Sequence, residues 1–442
     1  MTSCLFSART RIWPLILLAL AACTEPELIL PGDREPVRPD TRAAAPDTED
    51  AAVSEPVPLS IPAARANTEW THVRGSSVHA PGHLALAPSL TRAWSTSIGA
   101  GNGKRNRILS SPIVAEGRIY TLDSASRASA VSVEGRVLWQ SDLTAEGERA
   151  AEGFGGGLAY DAGALVATTG FGEVLRLDPT TGDILWRRLL DGAIRAAPAV
   201  SDGRVVAISR DDVAYGLDLE TGTLEWRVSG AGQGAGLLGG ASPAIRGPVA
   251  IIPFQSGEVT AALVRSGRRV WSAAVSGGRR EYVRSRIGDI SGGPVIDIDI
   301  VYAASQSGRL VALDRRSGER LWTQQDGAYG PVLPVGGDIF MVSDIGELLR
   351  LRAETGEIVW ISPLPEWERP ERRRAAVPHF GPLLAGGRLI VVSGDGLLRS
   401  FNPLSGAFLG AIEIPGGAAA APAIANGVLY IVSTRGDLHA YR

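Results

Sequence analysis

The stretch Asp178-Pro-Thr-Thr-Gly-Asp-Ile-Leu-Trp186 decides the fold, because its pattern recurs along the chain. An Asp opens a tight turn, a Thr or Ser and a Gly complete it, and a Trp follows four residues after the Gly. Complete copies end at Trp226 and Trp322. Partial copies keep the Gly and the Trp, at Gly135 with Trp139, Gly267 with Trp271 and Gly356 with Trp360. A further turn at Asn402 has Gly410 where a Trp is expected.

The spacing of these copies indicates a β-propeller. Successive Trp residues from Trp139 to Trp360 lie between 38 and 51 residues apart. Short β-rich runs joined by turns such as Asp202-Gly203 and Asn426-Gly427 separate them, which is typical of hairpins. A period of 40–50 residues with four short strands is that of a propeller blade. A β-sandwich would not repeat one turn and one Trp in this way, and the alternating pattern excludes a helical solenoid.

The number of blades follows from the strands that open each unit. They begin near residues 111, 158, 197, 242, 293, 331, 382 and 421, which gives eight. The last unit has sequence for three strands, and the run around Trp94 supplies a fourth. We therefore predict an all-β, eight-bladed propeller of four-stranded antiparallel blades, closed by pairing of the N-terminal strand with the last blade. Closure removes the unpaired edge of an open array.

The repeated residues have structural roles in this fold. A Gly suits a turn position with positive φ, and the Asp side chain can bond its own backbone two residues on. The repeated Asp residues are therefore not read as catalytic carboxylates. Each Trp is predicted to bury its ring between neighbouring blades. The predicted packing residues are Trp94, Trp139, Trp186, Trp226, Trp271, Trp322 and Trp360.

Composition excludes several classes of function. With 44 basic and 47 acidic residues the formal net charge is −3, which is not the charge of a nucleic-acid-binding protein. Five His and two Cys residues, with no CxxC or HExxH spacing, argue against a metal site. We therefore expect no cofactor, no metal and no nucleic-acid partner.

The N-terminal region has the pattern of an exported, anchored protein. Arg9 and Arg11 precede an apolar run, Ile12 to Ala22, that is too short to span a bilayer and suits a signal peptide over residues 1–22. The run ends at Cys23, and the small residues before it resemble a bacterial lipobox, which implies lipidation of Cys23. The alternative is an ordinary secretory signal. Residues 23–66 are Pro-rich and are predicted to be a disordered tether, followed by the propeller over 67–442.

The repeat resembles the tryptophan-docking motif of quinoprotein-like (PQQ-type) propellers. Two branches of this superfamily are relevant, the quinone-dependent alcohol dehydrogenases and the BamB lipoproteins of outer-membrane β-barrel assembly. The folded region lacks the adjacent Cys pair of the dehydrogenases. A lipobox, a Pro-rich tether and one eight-bladed domain are similar to BamB, and the lead-in from Asn67 to Trp94 resembles that of alphaproteobacterial BamB-like proteins.

The BamB resemblance implies partner-binding residues in two links between blades. It implies that Ile194 and Arg195 contact the periplasmic domains of a BamA-like barrel protein, although Gly192 departs from the Leu of the family motif. It implies a second contact at Asp289, where Ser291 replaces the second acid. Both links enter a first strand from the preceding blade, so they must lie on one face. We expect Ile194 to be exposed beside Arg195; the alternative is that Ile194 packs under the loop.

Two longer links on the same face carry arginines. One, from Gly277 to Gly288, contains Arg279, Arg280, Arg284 and Arg286; the other, from Pro363 to His379, contains Arg369, Arg372, Arg373 and Arg374. We hypothesise that they form a basic rim that steers an acidic partner. The alternative is that they are solvated loops.

The resemblance implies a non-catalytic scaffold, monomeric within a hetero-complex, anchored by lipid at the periplasmic face of the outer membrane. The sequence leaves two alternatives open. One is a PQQ-dependent dehydrogenase-like quinoprotein, and the other is a propeller that binds a different envelope partner.

Overall fold

A computed structural model describes residues 58–442, except residue 151, residues 232–239, residue 276 and residues 278–288. The predicted signal peptide, Cys23 and the tether up to residue 57 lie outside the described residues, as do Arg279, Arg280, Arg284 and Arg286. Within the described ranges, no helix is long and apolar enough to cross a bilayer.

The strands form eight blades of four antiparallel strands each, as predicted; blade 7 gains a fifth, parallel strand, and one two-stranded hairpin lies outside the blades. Two early strands, β1 (His83–Leu84) and β2 (Arg92–Ser97), precede the first blade. Blade 1 contains β3 (Ile113–Ala115), β4 (Arg118–Leu122), β5 (Arg127–Ser132) and β6 (Val137–Asp142). Blade 2 contains β7 (Gly156–Asp161), β8 (Ala164–Thr169), β9 (Glu173–Leu177) and β10 (Ile184–Leu189). Blade 3 contains β11 (Ala199–Ser201), β12 (Arg204–Ile208), β13 (Val213–Asp218) and β14 (Leu224–Ser229).

The remaining blades continue the same order. Blade 4 contains β15 (Ala244–Arg246), β16 (Val249–Pro253), β17 (Glu258–Leu263) and β18 (Arg269–Ala274). Blade 5 contains β19 (Gly292–Asp297), β20 (Ile300–Ser305), β21 (Arg309–Asp314) and β22 (Arg320–Gln324). Blade 6 contains β23 (Leu333–Val335), β24 (Asp338–Val342), β25 (Glu347–Arg352) and β26 (Ile358–Pro363). A hairpin of β27 (Trp367–Arg369) and β28 (Arg374–Ala376) follows blade 6. Blade 7 contains β29 (His379–Ala385), β30 (Arg388–Ser393), β31 (Leu397–Phe401) and β32 (Phe408–Glu413). The first three strands of blade 8 are β33 (Ala423–Ala425), β34 (Val428–Val432) and β35 (Asp437–Tyr441). Two 3-10 turns cover Val73–Gly75 and Pro370–Arg372.

The ring closes where β2 pairs antiparallel with β35 and supplies the fourth strand of blade 8, which confirms the predicted closure. Trp94 lies opposite Ala440, and Ser97 lies opposite Asp437. Beyond the strand ends, the backbone N–H of Thr91 donates to Arg442 and that of Arg442 donates to Thr91. The first and last strands of the ring therefore share one continuous ladder.

The hydrophobic core lies between blades. The second strand of each blade is almost entirely buried, whereas the fourth strands are mostly exposed or partly buried and bury at most their Trp and one further residue. One cluster joins Tyr120 and Leu122 of blade 1 to Leu158 and Leu165 of blade 2, and similar clusters recur around the ring. Each sheet is therefore covered on both faces by its neighbours, as stacked sheets require.

Seven tryptophans connect consecutive blades by the same contact. Each indole N–H donates to a backbone carbonyl in the next blade, at N–O distances of 2.7 to 3.2 Å. Each ring also covers the turn glycine of that blade. The pairs are Trp94 with Gly135, Trp139 with Gly182, Trp186 with Gly222, Trp226 with Gly267, Trp271 with Gly318, Trp322 with Gly356, and Trp360 with Gly406. A Cβ on any of these glycines would lie 2.5 to 2.8 Å from a ring atom.

The turn before each glycine is fixed by its Asp. The Asp178 carboxylate accepts the backbone N–H groups of Thr180 and Thr181 at 2.7 and 3.0 Å, and Asp218 and Asp314 accept equivalent bonds. These bonds favour the ionised form and lower the pKa of the Asp178 carboxyl. The repeated acids therefore hold turns, in keeping with their structural interpretation.

The junction between blades 7 and 8 lacks this contact, since Gly410 occupies the Trp position in β32. In blade 8 the third and fourth strands are β35 and β2, which come from distant parts of the chain. No Asp-x-x-Thr-Gly turn joins them, so an indole at position 410 would have no turn glycine to cover. The missing Trp and the missing turn are thus two results of the same closure.

The docking contact predicts unequal effects for two similar substitutions in blade 3. Gly203 and Gly222 have φ of +71° and +66°, but a Cβ at Gly203 meets nothing within 4 Å, whereas one at Gly222 would meet the Trp186 ring at 2.7 Å. We expect Gly203→Ala to cost about 1–2 kcal/mol from backbone strain. Gly222→Ala should cost about 2 kcal/mol more, because the ring must move. Denaturant unfolding of both variants measures the difference, and equal losses would contradict the docking role.

Candidate functional site

The meander gives the ring two different faces. Turns between strands one and two, and between strands three and four, lie on one face, which we call the turn face. Turns between strands two and three, together with the links from strand four to the next blade, lie on the other, which we call the connection face. The links that contain Arg195 and Asp289 are both on the connection face.

Residues 67–80, which we call the plug, run along the inner strands of the blades. Trp70 pairs with Val114 of blade 1 through two backbone hydrogen bonds of 2.7 and 2.8 Å. The backbone carbonyl of Thr71 accepts the N–H of Tyr160 in blade 2, and those of Ser77 and Val78 accept N–H groups in blades 4 and 5. The plug therefore occupies the shaft that the first strands enclose.

Side chains of the plug bond to the remaining inner strands. His72 contacts Val200 of blade 3, and Asn67 donates to the carbonyl of Ile424 in blade 8. Arg74 donates to the carbonyls of Pro382 in blade 7 and Val332 in blade 6, at 2.8 and 3.4 Å. With these bonds the plug is tied to all eight blades.

Three ionisable side chains of the plug are fully buried. Burial lowers the pKa of His72 to about 3 and that of His79 to about 4. Burial also lowers the pKa of Arg74 to about 10. His72 Nε2 accepts the N–H of Val200 at 3.1 Å, which requires an unprotonated nitrogen, whereas His79 Nδ1 donates to the Pro294 carbonyl at 2.8 Å. Both rings are neutral at pH 7 because burial lowers their pKa values well below 7.

The chain on both sides of the plug lies along blades 6 and 7. Strand β1 pairs parallel with β29, which gives blade 7 a fifth strand. Arg65 bridges to Leu84, and the carbonyl of Pro58 accepts a bond from the buried guanidinium of Arg350. Residues 58–66, which the sequence assigned to the tether, therefore contact the propeller.

A cavity of about 590 Å³ opens above the plug on the connection face. Val73, Arg74 and His79 of the plug line its inner end. Every blade also contributes to its wall, with Leu109, Gly156, Arg195, Gly240, Asp289, Tyr329, Phe380 and Ala420. The structure thus brings Arg195 and Asp289 into one cavity, as their shared face predicted.

The expectation that Ile194 is exposed is wrong, since its side chain is fully buried. Ile194 forms an antiparallel bridge with Ser209, which extends the first strand of blade 3 by pairing it with the end of the second. Its side chain enters the cluster between blades 2 and 3 with Val166 and Leu190. Ala328 and Ala418 form the same bridge in blades 6 and 8 and are also buried.

Arg195 follows the bridge and turns into the cavity wall. Its guanidinium carbon lies 4.9 Å from the centre of the Phe154 ring, a cation–π contact with the link into blade 2. Partial burial and the charge of Arg210 lower the pKa of Arg195. Among the described residues no carboxylate forms an ion pair with Arg195. Its position suits recognition of a carboxylate from outside.

The departures from the family motif have local causes. Gly192 has φ of +83°, a backbone conformation that a leucine adopts only at a cost, and a Cβ there would require the Asp211 carboxylate to move. Ser291 donates to the carbonyl of Ala328 in the link into blade 6. Asp289 lies at the cavity wall with only 3% of its surface exposed.

The link from Pro363 to His379 contains the β27–β28 hairpin rather than a solvated loop without regular structure. Its base, with Glu366, Trp367 and Val377, lines the same cavity as Arg195. The other arginine-rich link lies outside the described residues apart from Gly277. Across the part of the chain that is described, no three His, Cys, Asp or Glu side chains group closely enough to hold a metal ion.

The family model for the outer membrane protein assembly factor BamB matches residues 124–362, more than half of the 442 residues. The chain belongs to the BamB family. BamB of Yersinia pestis is 25% identical over 359 residues, covering 80% of this chain and 89% of that protein. BamB of Escherichia coli is 25% identical over 357 residues, covering 79% of this chain and 88% of that protein.

Solved structures share the fold of this BamB family member. The BamB crystal structure from Moraxella catarrhalis aligns with a TM-score of 0.63 at 20% identity, over 80% of this chain and 98% of that one. A quinohemoprotein alcohol dehydrogenase from Comamonas testosteroni aligns with a TM-score of 0.65 at 14% identity, over 86% of this chain and 81% of that one. Similarity at these identities shows the fold alone.

The buried histidines predict a loss of stability in mild acid. Their folded pKa values lie below the ordinary value of 6.5, so the unfolded chain binds protons first as the pH falls. The contribution of these histidines to stability is therefore fully present above pH 6.5 and is lost toward pH 4, by about 2 kcal/mol per histidine at pH 5.

A variant with His72→Gln and His79→Gln tests this effect. We expect its unfolding free energy to change between pH 7 and pH 5 by about 4 kcal/mol less than that of the wild type. His379 and His439 remain in both proteins, so their contributions cancel in the comparison. Identical pH dependence in the two proteins would show that the plug histidines are not buried as neutral groups.

Proposed function

We propose that this protein is a non-catalytic, lipid-anchored scaffold of outer-membrane β-barrel assembly that binds the periplasmic domains of a BamA-like barrel protein. The family match over residues 124–362 carries this proposal. The relatives from Yersinia pestis and Escherichia coli are named outer membrane protein assembly factors, and the matches span most of both chains.

The geometry of the connection face supports binding there. The turn face consists of short hairpin turns, whereas the connection face has the cavity and the longer links. Arg195 projects from a wall that Ile194 fixes from beneath, so its position is set by the core between blades 2 and 3. An arginine held in this way loses little side-chain entropy on binding, which favours a strong contact.

The plug residues that fill the shaft favour a scaffold function rather than that of a quinone-dependent enzyme. The plug fills the inner end of the central space with Trp70, His72, Arg74 and His79, all buried. Arg74 and the histidines use their polar atoms on backbone carbonyls and amides of the blades. These groups therefore hold the ring together, a role that needs no reaction.

Replacement of Arg195 tests the proposed contact. We expect Arg195→Ala to weaken binding to the purified periplasmic domains of the barrel protein about thirtyfold, the effect of losing a central interface arginine of about 2 kcal/mol. Biolayer interferometry with detergent-free protein measures the affinity.

Arg265→Ala is the matched control, because Arg265 is an exposed, ion-paired arginine on the turn face. It should bind like the wild type. Both variants must keep the wild-type melting temperature. Equal affinities for all three proteins would reject Arg195 as a contact, and no binding by the wild type would reject the proposed partner.

We also propose that Cys23 carries the lipid anchor, so that the propeller is held at the periplasmic face of the outer membrane by the chain before residue 58. We expect Cys23→Ser to move the protein from the membrane fraction to the soluble fraction, because a lipid anchor supplies the membrane affinity. Cell fractionation followed by immunoblotting measures this. A variant that stays with the membranes after a high-salt wash would contradict lipid anchoring.

A further inference from the structure

The β27–β28 hairpin is an isolated two-stranded sheet on the connection face. Trp367 pairs with Ala376, and Arg369 pairs with Arg374. Pro370–Arg372 forms the 3-10 turn at its tip, and Arg373 closes the turn by donating its N–H to Pro370. The base is held by buried Leu364 and Val377, while every residue from Glu368 to Ala376 is exposed.

The tip of the hairpin is strongly basic. Residues 369–374 contain four arginines and one glutamate, a net charge of +3 in a chain whose formal charge is −3. Within the described ranges, none of these four arginines forms an ion pair, although Glu366, Glu368 and Glu371 are close in sequence. The positive charge is therefore left without a counter-charge from the described part of the chain.

Local features of the hairpin act against its own stability. Arg369 and Arg374 face each other across the two strands, and like charges in this position repel. Arg373 and Ala375 have φ of 45° and 59°, a region that residues with a Cβ occupy at a cost. A two-stranded hairpin without further strands is marginal by itself. Such costs at an exposed site indicate a function for the charged tip.

The hairpin and Arg195 line the same cavity from different sides of the ring, since Arg195 precedes blade 3 and the hairpin links blades 6 and 7. Trp367 and Ala376 form one of its cross-strand pairs, and both line the cavity whose wall includes Arg195. A partner that spans the mouth of this cavity on the connection face therefore contacts both Arg195 and the arginine tip. The same face thus presents a deep arginine in the cavity and a cluster of exposed arginines at the rim.

We propose that this hairpin is a docking arm that binds an acidic segment of the protein partner, with its carboxylates between Arg369, Arg372 and Arg374. This inference rests on the proposed function, because it assumes that the partner occupies the connection face. Paired carboxylates can accept forked bonds from guanidinium groups and remove the repulsion between Arg369 and Arg374. Exposed charges of this kind act chiefly on the rate of association.

Charge reversal at the tip tests the arm. The test variant carries Arg372→Glu, Arg373→Glu and Arg374→Glu. The matched control carries Arg265→Glu, Arg268→Glu and Arg316→Glu, three exposed arginines on the turn face, so the change in net charge is identical. At low salt, we expect the test variant to associate with the purified periplasmic domains about tenfold more slowly, with less than a twofold effect for the control. High salt should remove most of the difference.

A neutral variant separates binding from folding. Arg374→Gln removes the like-charge pair, so the melting temperature should stay the same or rise while association slows about twofold to threefold. Equal association rates for the test variant and the control, with the wild type bound to its partner, would overturn the arm and leave the proposed function intact.

Two further probes distinguish other failures. If the wild type does not bind the periplasmic domains, the proposed function fails, and an oligo-glutamate peptide then tests the hairpin directly. Peptide binding that the test variant loses supports an acidic ligand, and no binding overturns it. Vesicles of phosphatidylcholine with phosphatidylglycerol probe a lipid surface. Vesicle binding that depends on the tip, with protein association unchanged, would overturn the proposal in favour of a membrane contact.

Discussion

The contact between each Trp ring and the turn glycine of the next blade is the constraint on which the ring depends. It joins an apolar contact to an indole hydrogen bond, and it fixes the distance between consecutive blades at seven junctions. The glycine has two reasons to be present, since its φ is positive and its missing Cβ leaves room for the ring. The Asp-x-x-Thr-Gly-x-x-x-Trp pattern therefore reflects a contact between neighbouring blades, because the Trp of one blade packs on the turn glycine of the next.

The eighth junction and the plug complete what the repeats begin. Blade 8 is completed by the pairing of β35 with β2, so its fourth strand depends on a long-range closure. The plug bonds to the inner strands of all eight blades, including those on either side of that closure. One segment thus ties the ends of the ring together and fills the inner end of the shaft. The connection face carries the cavity and the longer links, whereas the turn face has only short hairpin turns among the described residues.

The sequence predicts the repeating parts of the fold, but it does not predict the parts that occur only once. Blade number, strand order and the closing strand around Trp94 follow from a period that many residues share. The plug has no repeat, and its His72 and Arg74 are set by contacts with blades far away in sequence. The predicted exposure of Ile194 is wrong because its bridge to Ser209 depends on strand register. The arginines at 369 and 374 were recognised as basic, but their opposition across a hairpin is visible only in the structure.

The lead-in of the chain seals the ring, so that the connection face is built on a rigid body. Hydrogen–deuterium exchange measured on the free protein tests it most directly. The amides of Ile245 and Ile296, which donate to the plug, and those of β2 should exchange as slowly as the amides of β8. Exchange of these amides on the time scale of exposed turns, while β8 stays protected, would show that the lead-in does not seal the ring.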